Sequence, residues 1–270
     1  MDSSLGAFLT LETEYGPVHY LFQRSARRTL TIHVIDPDAK VSRRNSLPGE
    51  YLFPGREIWV RVAAPLRMPE ERVHAFIRLK ARWINSKINQ IRERRAKFPV
   101  RQFRQGEQFL FLGKRYPLNI THEEVRRPGM IFNEEGWKVT LSQKTEAPRT
   151  DRLVRKKLFD WYRDKAKEFL GSRIFYFARL LGSQPRKISI RTQKRMWGSC
   201  HYHQQAIHLN WQLIQAPVEV IDYVIVHEFC HLKVPNHSRR FWKEVRKVLP
   251  GFEVQRRWLK EHQWELSLPE

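Results

Sequence analysis

Apolar residues recur at helical spacing in three long segments of the chain. The pattern predicts one helix from after Pro69 to about Arg95, a second over Asp151–Leu181 that Gly182 closes, and a third over Val218–Leu232. Two shorter helices are predicted to follow, over Ser238–Leu249 and Phe252–Trp264.

Short stretches with strand character occupy the rest of the chain, and Asp36–Pro54, which carries prolines and charges, predicts an exposed loop. The strand Gln205–Asn210 alternates Ala206 and His208 against Ile207 and Leu209. The other predicted strands are Phe8–Leu11, Leu30–Val34, Ile58–Val62, a hairpin over Phe109–Tyr116 with Gly113-Lys114 at its turn, one or two strands between Ile131 and Leu141, and Lys187–Ile190.

Strands dominate the first half of the chain and helices the second, so the predicted fold class is α+β. The polar segment Thr145–Thr150, which contains Pro148, is the predicted boundary. We therefore expect a mixed, β-rich N-terminal portion with one long helix over residues 1–148. A mostly helical portion with a short antiparallel sheet is expected over residues 149–270.

The third long helix carries a metal-ligand pattern. His227 and His231 are four residues apart, which places their Cβ atoms about 5–6 Å apart on one helix face. Two imidazoles so placed can reach one ion at the roughly 2.0–2.1 Å of a Zn–N bond. Glu228 completes the motif His-Glu-x-x-His, in which the carboxylate is the general base of a zinc hydrolase. The second portion is therefore expected to be zincin-like.

A catalytic zinc site needs a third protein ligand. Pro235 cannot continue the helix and Asn236 tolerates turns, so the chain can bend back and bring His237 to the same ion. A carboxylate from Glu244 or Glu253 remains an alternative. The prediction is one zinc ion per chain, with other divalent metals possible.

The spacing is also that of the metzincin motif HExxHxxGxxH, with two differences. Val234 stands where that motif has glycine, and no methionine follows Met196, so the metzincin Met-turn is missing.

Charge and cysteine content limit the cellular context. Fifty Lys and Arg against 28 Asp and Glu give a net charge of +22, which would attract nucleic acids, nucleotides or anionic surfaces. A generally basic, solvated surface explains this charge equally well.

The two cysteines, Cys200 and Cys230, form no disulfide framework, which fits a reducing compartment. No secretory signal or membrane span is visible, so we expect a cytoplasmic protein without a membrane partner. The sequence indicates no oligomeric state.

Seven segments along nearly the whole chain carry a likeness to a known family: Arg24–Val34, Val60–Pro69, Leu79–Ile84, Phe111–Leu118, Arg191–Cys200, Ile207–Pro217 and Val220–Trp242. Together they resemble the YgjP-like family of predicted zinc-dependent hydrolases, which is related to SprT-like zinc proteases. The resemblance implies zinc at His227, His231 and His237 with Glu228 as base, and a turn at Trp197–Cys200 packed against the zinc helix. Met196 stands where the family usually has arginine, and Asp36–Gly55 resembles an insertion.

Three functions follow from these features. The first is a metallopeptidase. The second is a nucleoside triphosphate pyrophosphatase, a role also implied by the resemblance, in which Arg191, Lys194 and Arg195 would clamp phosphates beside the metal. These three cations are equally well explained as a surface cluster. The third is a nucleic-acid-binding module, which leaves the motif around Glu228 unexplained.

Overall fold

The computed structural model describes residues 7–36, 57–99, 101–193 and 196–268. Two compact units make up the chain, residues 1–100 together with 269–270, and residues 101–268. Helices and strands are mixed in both units, which confirms the α+β class. Lys194 and Arg195 lie outside the described residues, as does most of the Asp36–Gly55 segment.

The five helices predicted from the sequence are present. The second of them ends at Gly182, whose φ of 57° is left-handed, a conformation that glycine adopts without strain. In chain order the helices are α1 (Glu70–Lys97), α2 (Ala147–Leu181), α3 (Val218–His231), α4 (Arg239–Val248) and α5 (Glu253–His262).

The first unit is a four-stranded sheet covered by α1, whose buried Val73, Ile77 and Ile84 pack into the core of the sheet. The second strand was not predicted, because its polar C-terminal half runs into the basic segment Arg24–Arg28 and breaks the apolar alternation. Asp36 was expected in an exposed loop but is buried, and it forms ion pairs with Arg94 and Arg95. The strands are β1 (Ala7–Leu11), β2 (Val18–Ser25), β3 (Thr31–Ile35) and β4 (Trp59–Pro65), in the order β1-β2-β4-β3.

The second unit contains two sheets. The predicted hairpin is present, but its turn is Leu112-Gly113, one residue earlier than expected, because Gly113 adopts a φ of 80° and donates its N–H to the carbonyl of Gln215 at 3.1 Å. One sheet has the order β5-β6-β8-β7, and the other has the order β10-β11-β9. The strands are β5 (Gln108–Phe111), β6 (Lys114–Glu123), β7 (Gly129–Asn133), β8 (Gly136–Ser142), β9 (Lys187–Arg191), β10 (Gly198–His201) and β11 (Ala206–Asn210).

Residues 101–148 pack against the helices that follow them. The buried hydroxyl of Tyr162 on α2 donates to the carbonyl of Leu110 at 2.6 Å. The buried ring of Trp137 on β8 lies 5.3 Å from that of Trp161 and 5.5 Å from that of Tyr162. Packing therefore divides the chain between residues 100 and 101, whereas the boundary predicted from the sequence lies between residues 148 and 149.

The three-stranded sheet differs from expectation in two ways. It is mixed, since β10 pairs with β11 in antiparallel orientation but β9 pairs with β11 in parallel orientation. The strand β11 was predicted, but all its residues are buried, so both of its faces are covered. β11 is the central strand of this sheet. At its end, the side-chain amide of Asn210 donates to the carbonyls of Gln193 and Met196, which lie between β9 and β10, at 2.9 and 3.3 Å.

No helix in the described part of the chain combines the length and the apolar character that crossing a membrane requires.

Candidate metal centre

Helix α3 presents His227 and His231 on one face, one turn apart. At the end of the helix, His231 Nδ1 lies 3.0 Å from the carbonyl oxygen of Val234. Because that oxygen can only accept, Nδ1 carries the hydrogen, and the lone pair of neutral His231 is on Nε2. The contact orients the ring, as backbone carbonyls commonly do for metal-bound histidines.

His237 returns to the same point after the turn that Pro235 and Asn236 were expected to form. Its Nε2 lies 3.0 Å from Nε2 of His227 and 3.2 Å from Nε2 of His231. The Nε2 atoms of His227 and His231 are 3.2 Å apart. Tetrahedral bonds of about 2.0–2.1 Å hold nitrogen ligands about 3.3 Å apart. The three imidazoles therefore fit a zinc-sized ion, and the structure groups the residues that the sequence singled out.

Aromatic residues of α4 hold the three rings in place. Phe241 is fully buried, and its ring centroid lies 4.8 Å from that of His227, 4.3 Å from that of His231 and 4.9 Å from that of His237. Trp242 stacks on His237 at 5.6 Å with an interplanar angle of 25°. Helix α4 therefore covers the three histidines on one side.

His227 and His231 are held in the neutral form that binds metals. Burial, reinforced by the neighbouring His231 and His237, lowers the pKa of His227 to about 3. Burial also lowers the pKa of His231. A charged imidazole has no lone pair on its ring nitrogens to offer a metal, so this environment suits ligation.

Glu228 is only 5% exposed, and its carboxyl group lies against the backbone of β10. A Cβ atom added at Gly198 would lie 2.5 Å from Oε1 of Glu228 and 2.8 Å from its Cδ. Burial raises the pKa of Glu228 to about 8. The packing of Trp197–Cys200 against α3 follows the implied arrangement, but the need for glycine at residue 198 was missed. The sequence indicated this need only through the glycine itself, which stands in a turn predicted to touch the zinc helix.

Hydrogen bonds fix this segment beside α3. The buried amide of Gln193 donates to the carbonyl of His208 at 3.0 Å, and the Ser199 hydroxyl donates to Oε1 of Gln193 at 3.3 Å. The backbone N–H of Asn210 donates to the carbonyl of Trp197 at 2.8 Å. Gly198 is thus held between two bonded neighbours.

The two alternative carboxylate ligands are engaged elsewhere. Glu244 pairs with Lys247 at 2.7 Å, and Glu253 pairs with Arg246. Neither belongs to the group of side chains that could share one ion, which favours His237 as third ligand.

Of the three proposed phosphate-binding residues, the structure describes Arg191 alone. It is exposed at the end of β9, and β11 separates that strand from β10, the strand in contact with Glu228. Phosphate binding by Arg191, Lys194 and Arg195 stays a prediction.

Comparison with protein families matches residues 51–262 to the description "YgjP-like, metallopeptidase domain". No protein with a curated description matches the chain. Among solved structures, the metallopeptidase zymogen abylysin of Pyrococcus abyssi is 28% identical, with 35% of this chain and 95% of that chain covered and a TM-score of 0.32. The metallopeptidase zymogen jannalysin of Methanocaldococcus jannaschii is 23% identical, with 35% and 94% covered and a TM-score of 0.31.

Proposed function

The chain belongs to the YgjP-like metallopeptidase family and is a metal-dependent hydrolase, and we propose that it hydrolyses peptide bonds with Glu228 as general base. The proposed ligands of a single zinc ion are His227, His231 and His237. The observation that carries the proposal is the convergence of three Nε2 atoms within 3.0–3.2 Å of one another, on and just after the helix that bears Glu228.

His227, His231 and His237 would hold the zinc ion, which when bound would supply a Lewis acid for the scissile carbonyl and for the attacking water. Burial favours the neutral form of Glu228, and the positive charge of the metal would favour its ionised form. The ionised carboxylate would accept the proton of the attacking water and pass it to the leaving nitrogen. The close approach of Gly198 keeps that carboxylate at one position. Preorganisation of this kind lowers the cost of reaching the transition state.

The sheet beside the metal centre offers a place for the peptide. Strand β10 is at an edge of the three-stranded sheet, and its outer side is not paired with another strand among the described residues. An extended peptide can add to such an edge through main-chain hydrogen bonds. Gly198, at the start of β10, would bring a peptide bound there next to Glu228.

The test is Glu228→Gln, assayed with zinc-loaded protein on a fluorogenic peptide library. We expect metal content to stay at the wild-type level and turnover to fall by about 10²–10⁴-fold, the usual contribution of a general base. Glu219→Gln, an exposed change in the first turn of the same helix, serves as control and should retain activity. Wild-type turnover by the Glu228 variant would contradict the proposed mechanism.

A further inference from the structure

One face of α3 extends the row of metal ligands by one residue. Tyr223, His227 and His231 are spaced four apart, so their side chains lie along the same side of the helix. The ring of Tyr223 lies 5.8 Å from that of His227 and stacks on Phe252 at 6.0 Å with an angle of 7°. The side of the metal centre nearest the start of α3 is therefore an aromatic wall shared with the segment leading into α5.

Arg256 of α5 completes this wall. Its guanidinium carbon lies 4.5 Å from the ring centroid of Trp242, and that ring stacks on both Phe252, at 5.3 Å, and His237, at 5.6 Å. One aromatic ring thus separates a permanent positive charge from a proposed metal ligand. The contact with the ring face restricts the guanidinium, and its five N–H groups can still donate hydrogen bonds to a ligand.

No Asp or Glu oxygen lies within ion-pair distance of Arg256 in the part of the chain that the structure describes, although its side chain is exposed. Glu253, one turn earlier on α5, forms its ion pair with Arg246, which lowers the pKa of its carboxyl with a smaller contribution from the charge of Arg256.

A stacked, unpaired arginine beside a metal centre is suited to bind an anion. We propose that Arg256 recognises a carboxylate of the peptide substrate, either an acidic side chain or the C-terminal group, next to the bond that is cleaved. This inference rests on the proposed metallopeptidase function and names the chemistry that its site selects. The guanidinium fork matches the two oxygens of a carboxylate, which a neutral amide cannot replace.

The experiment uses small hydroxamates, which chelate zinc and so anchor a probe at the metal centre. The monohydroxamates of succinic, glutaric and adipic acid carry a free carboxylate at increasing distance, and the matching monoamides serve as neutral controls. Dissociation constants are measured by calorimetry on zinc-loaded full-length protein, for the wild type, Arg256→Gln, Arg256→Lys and Arg257→Gln. Arg257 is the exposed neighbour on α5 and provides the matched control.

We expect the best carboxylate probe to bind wild-type protein at least about tenfold more tightly than its amide, a difference of about 1.4 kcal/mol. Arg256→Gln should abolish this preference without changing amide binding, Arg256→Lys should retain part of it, and Arg257→Gln should retain all of it. The preference should also shrink at high salt.

Other outcomes overturn the inference in distinguishable ways. Equal binding of carboxylate and amide by the wild type would remove the role of Arg256 while leaving the metal site intact. If Arg256→Gln and Arg257→Gln lost the preference for the carboxylate probe equally, the preference would come from general surface charge. A parallel loss of amide binding in Arg256→Gln would mean that the residue only supports the fold. Failure of all hydroxamates to bind any form would contradict the metal site as well.

Discussion

Gly198 and Glu228 are in such close contact that one methyl group would not fit between them. A Cβ at residue 198 would lie 2.5 Å from Oε1 and 2.7 Å from Cγ of Glu228. Real Cβ atoms do not approach other atoms so closely, and the carboxylate is buried against β10. The strand beside the metal centre therefore determines where the proposed base can stand.

We expect Gly198→Ala to displace this carboxylate and lower kcat by about 10²-fold, a typical cost of a misplacement of 1 Å. Metal content should stay unchanged, because the change does not touch the three histidines. Ser199→Ala, in the same strand, should have a much smaller effect. Turnover and metal content measured on the same samples check this expectation. Wild-type kcat in Gly198→Ala would show that the contact does not position Glu228.

A double-mutant cycle separates positioning from general damage to the fold. Glu228→Asp shortens the side chain and relieves the clash with an alanine at residue 198. We expect the effects of Gly198→Ala and Glu228→Asp on kcat to be non-additive, with a coupling energy of about 0.5–3 kcal/mol. Strictly additive effects would count against direct contact in the working enzyme.

Zinc should stabilise the protein through the three histidines. An ion that binds only the folded state adds about 2.7 kcal/mol to the free energy of unfolding at a concentration of 100 times its Kd. We expect zinc to raise Tm accordingly and a chelator to lower it. His231→Ala should remove the shift, and His203→Ala, an exposed histidine, should keep it. A zinc-induced shift that survives His231→Ala would indicate a different site.

One bidentate ion pair joins α2 and α3. Arg173 donates from Nε and Nη2 to the two oxygens of Asp222 at 2.7 and 2.6 Å. We expect Asp222→Asn to lower the free energy of unfolding by about 1.5–3 kcal/mol, as for hydrogen bonds between charged groups. Asp160→Asn, which removes the exposed pair with Lys156, should cost less than about 0.5 kcal/mol. Denaturant titration of both variants makes the comparison, and equal losses would contradict it.

The strands between residues 101 and 148 should be required for the fold of the second unit. Without them α2 loses the partners of Trp161 and Tyr162, and the carbonyl of Ile214 loses the N–H of Leu112 at 3.0 Å. We expect a fragment of residues 101–268 to unfold cooperatively on heating and a fragment of residues 149–268 not to. Cooperative unfolding of the shorter fragment would support the boundary predicted from the sequence.

Local patterns were enough to predict that the three histidines come together. The spacing of His227 and His231 is a property of one helix, and the turn to His237 is specified by Pro235 and Asn236 within a few residues. The structure gathers these histidines where that pattern puts them. Helix bounds were likewise predicted to within a few residues, because α-helices depend on contacts close in sequence.

Features that depend on contacts distant in sequence were missed. Nothing in the sequence of β11 indicates that both its faces are covered, and β9 pairs with β11 in parallel although β10 comes between them along the chain. Arg256 carries no spacing signal, since only tertiary packing brings α5 beside Trp242 of α4. Periodicity reports which residues are apolar but not which element covers them.

Metal content tests the central claim most directly. Inductively coupled plasma mass spectrometry on untagged protein should find one zinc ion per chain in the wild type and in His203→Ala, and almost none in His237→Ala. Retained fold in each sample is checked by circular dichroism. A folded wild type that contains no metal and takes up none when zinc is added, or a His237 variant that keeps the full complement, would contradict the account.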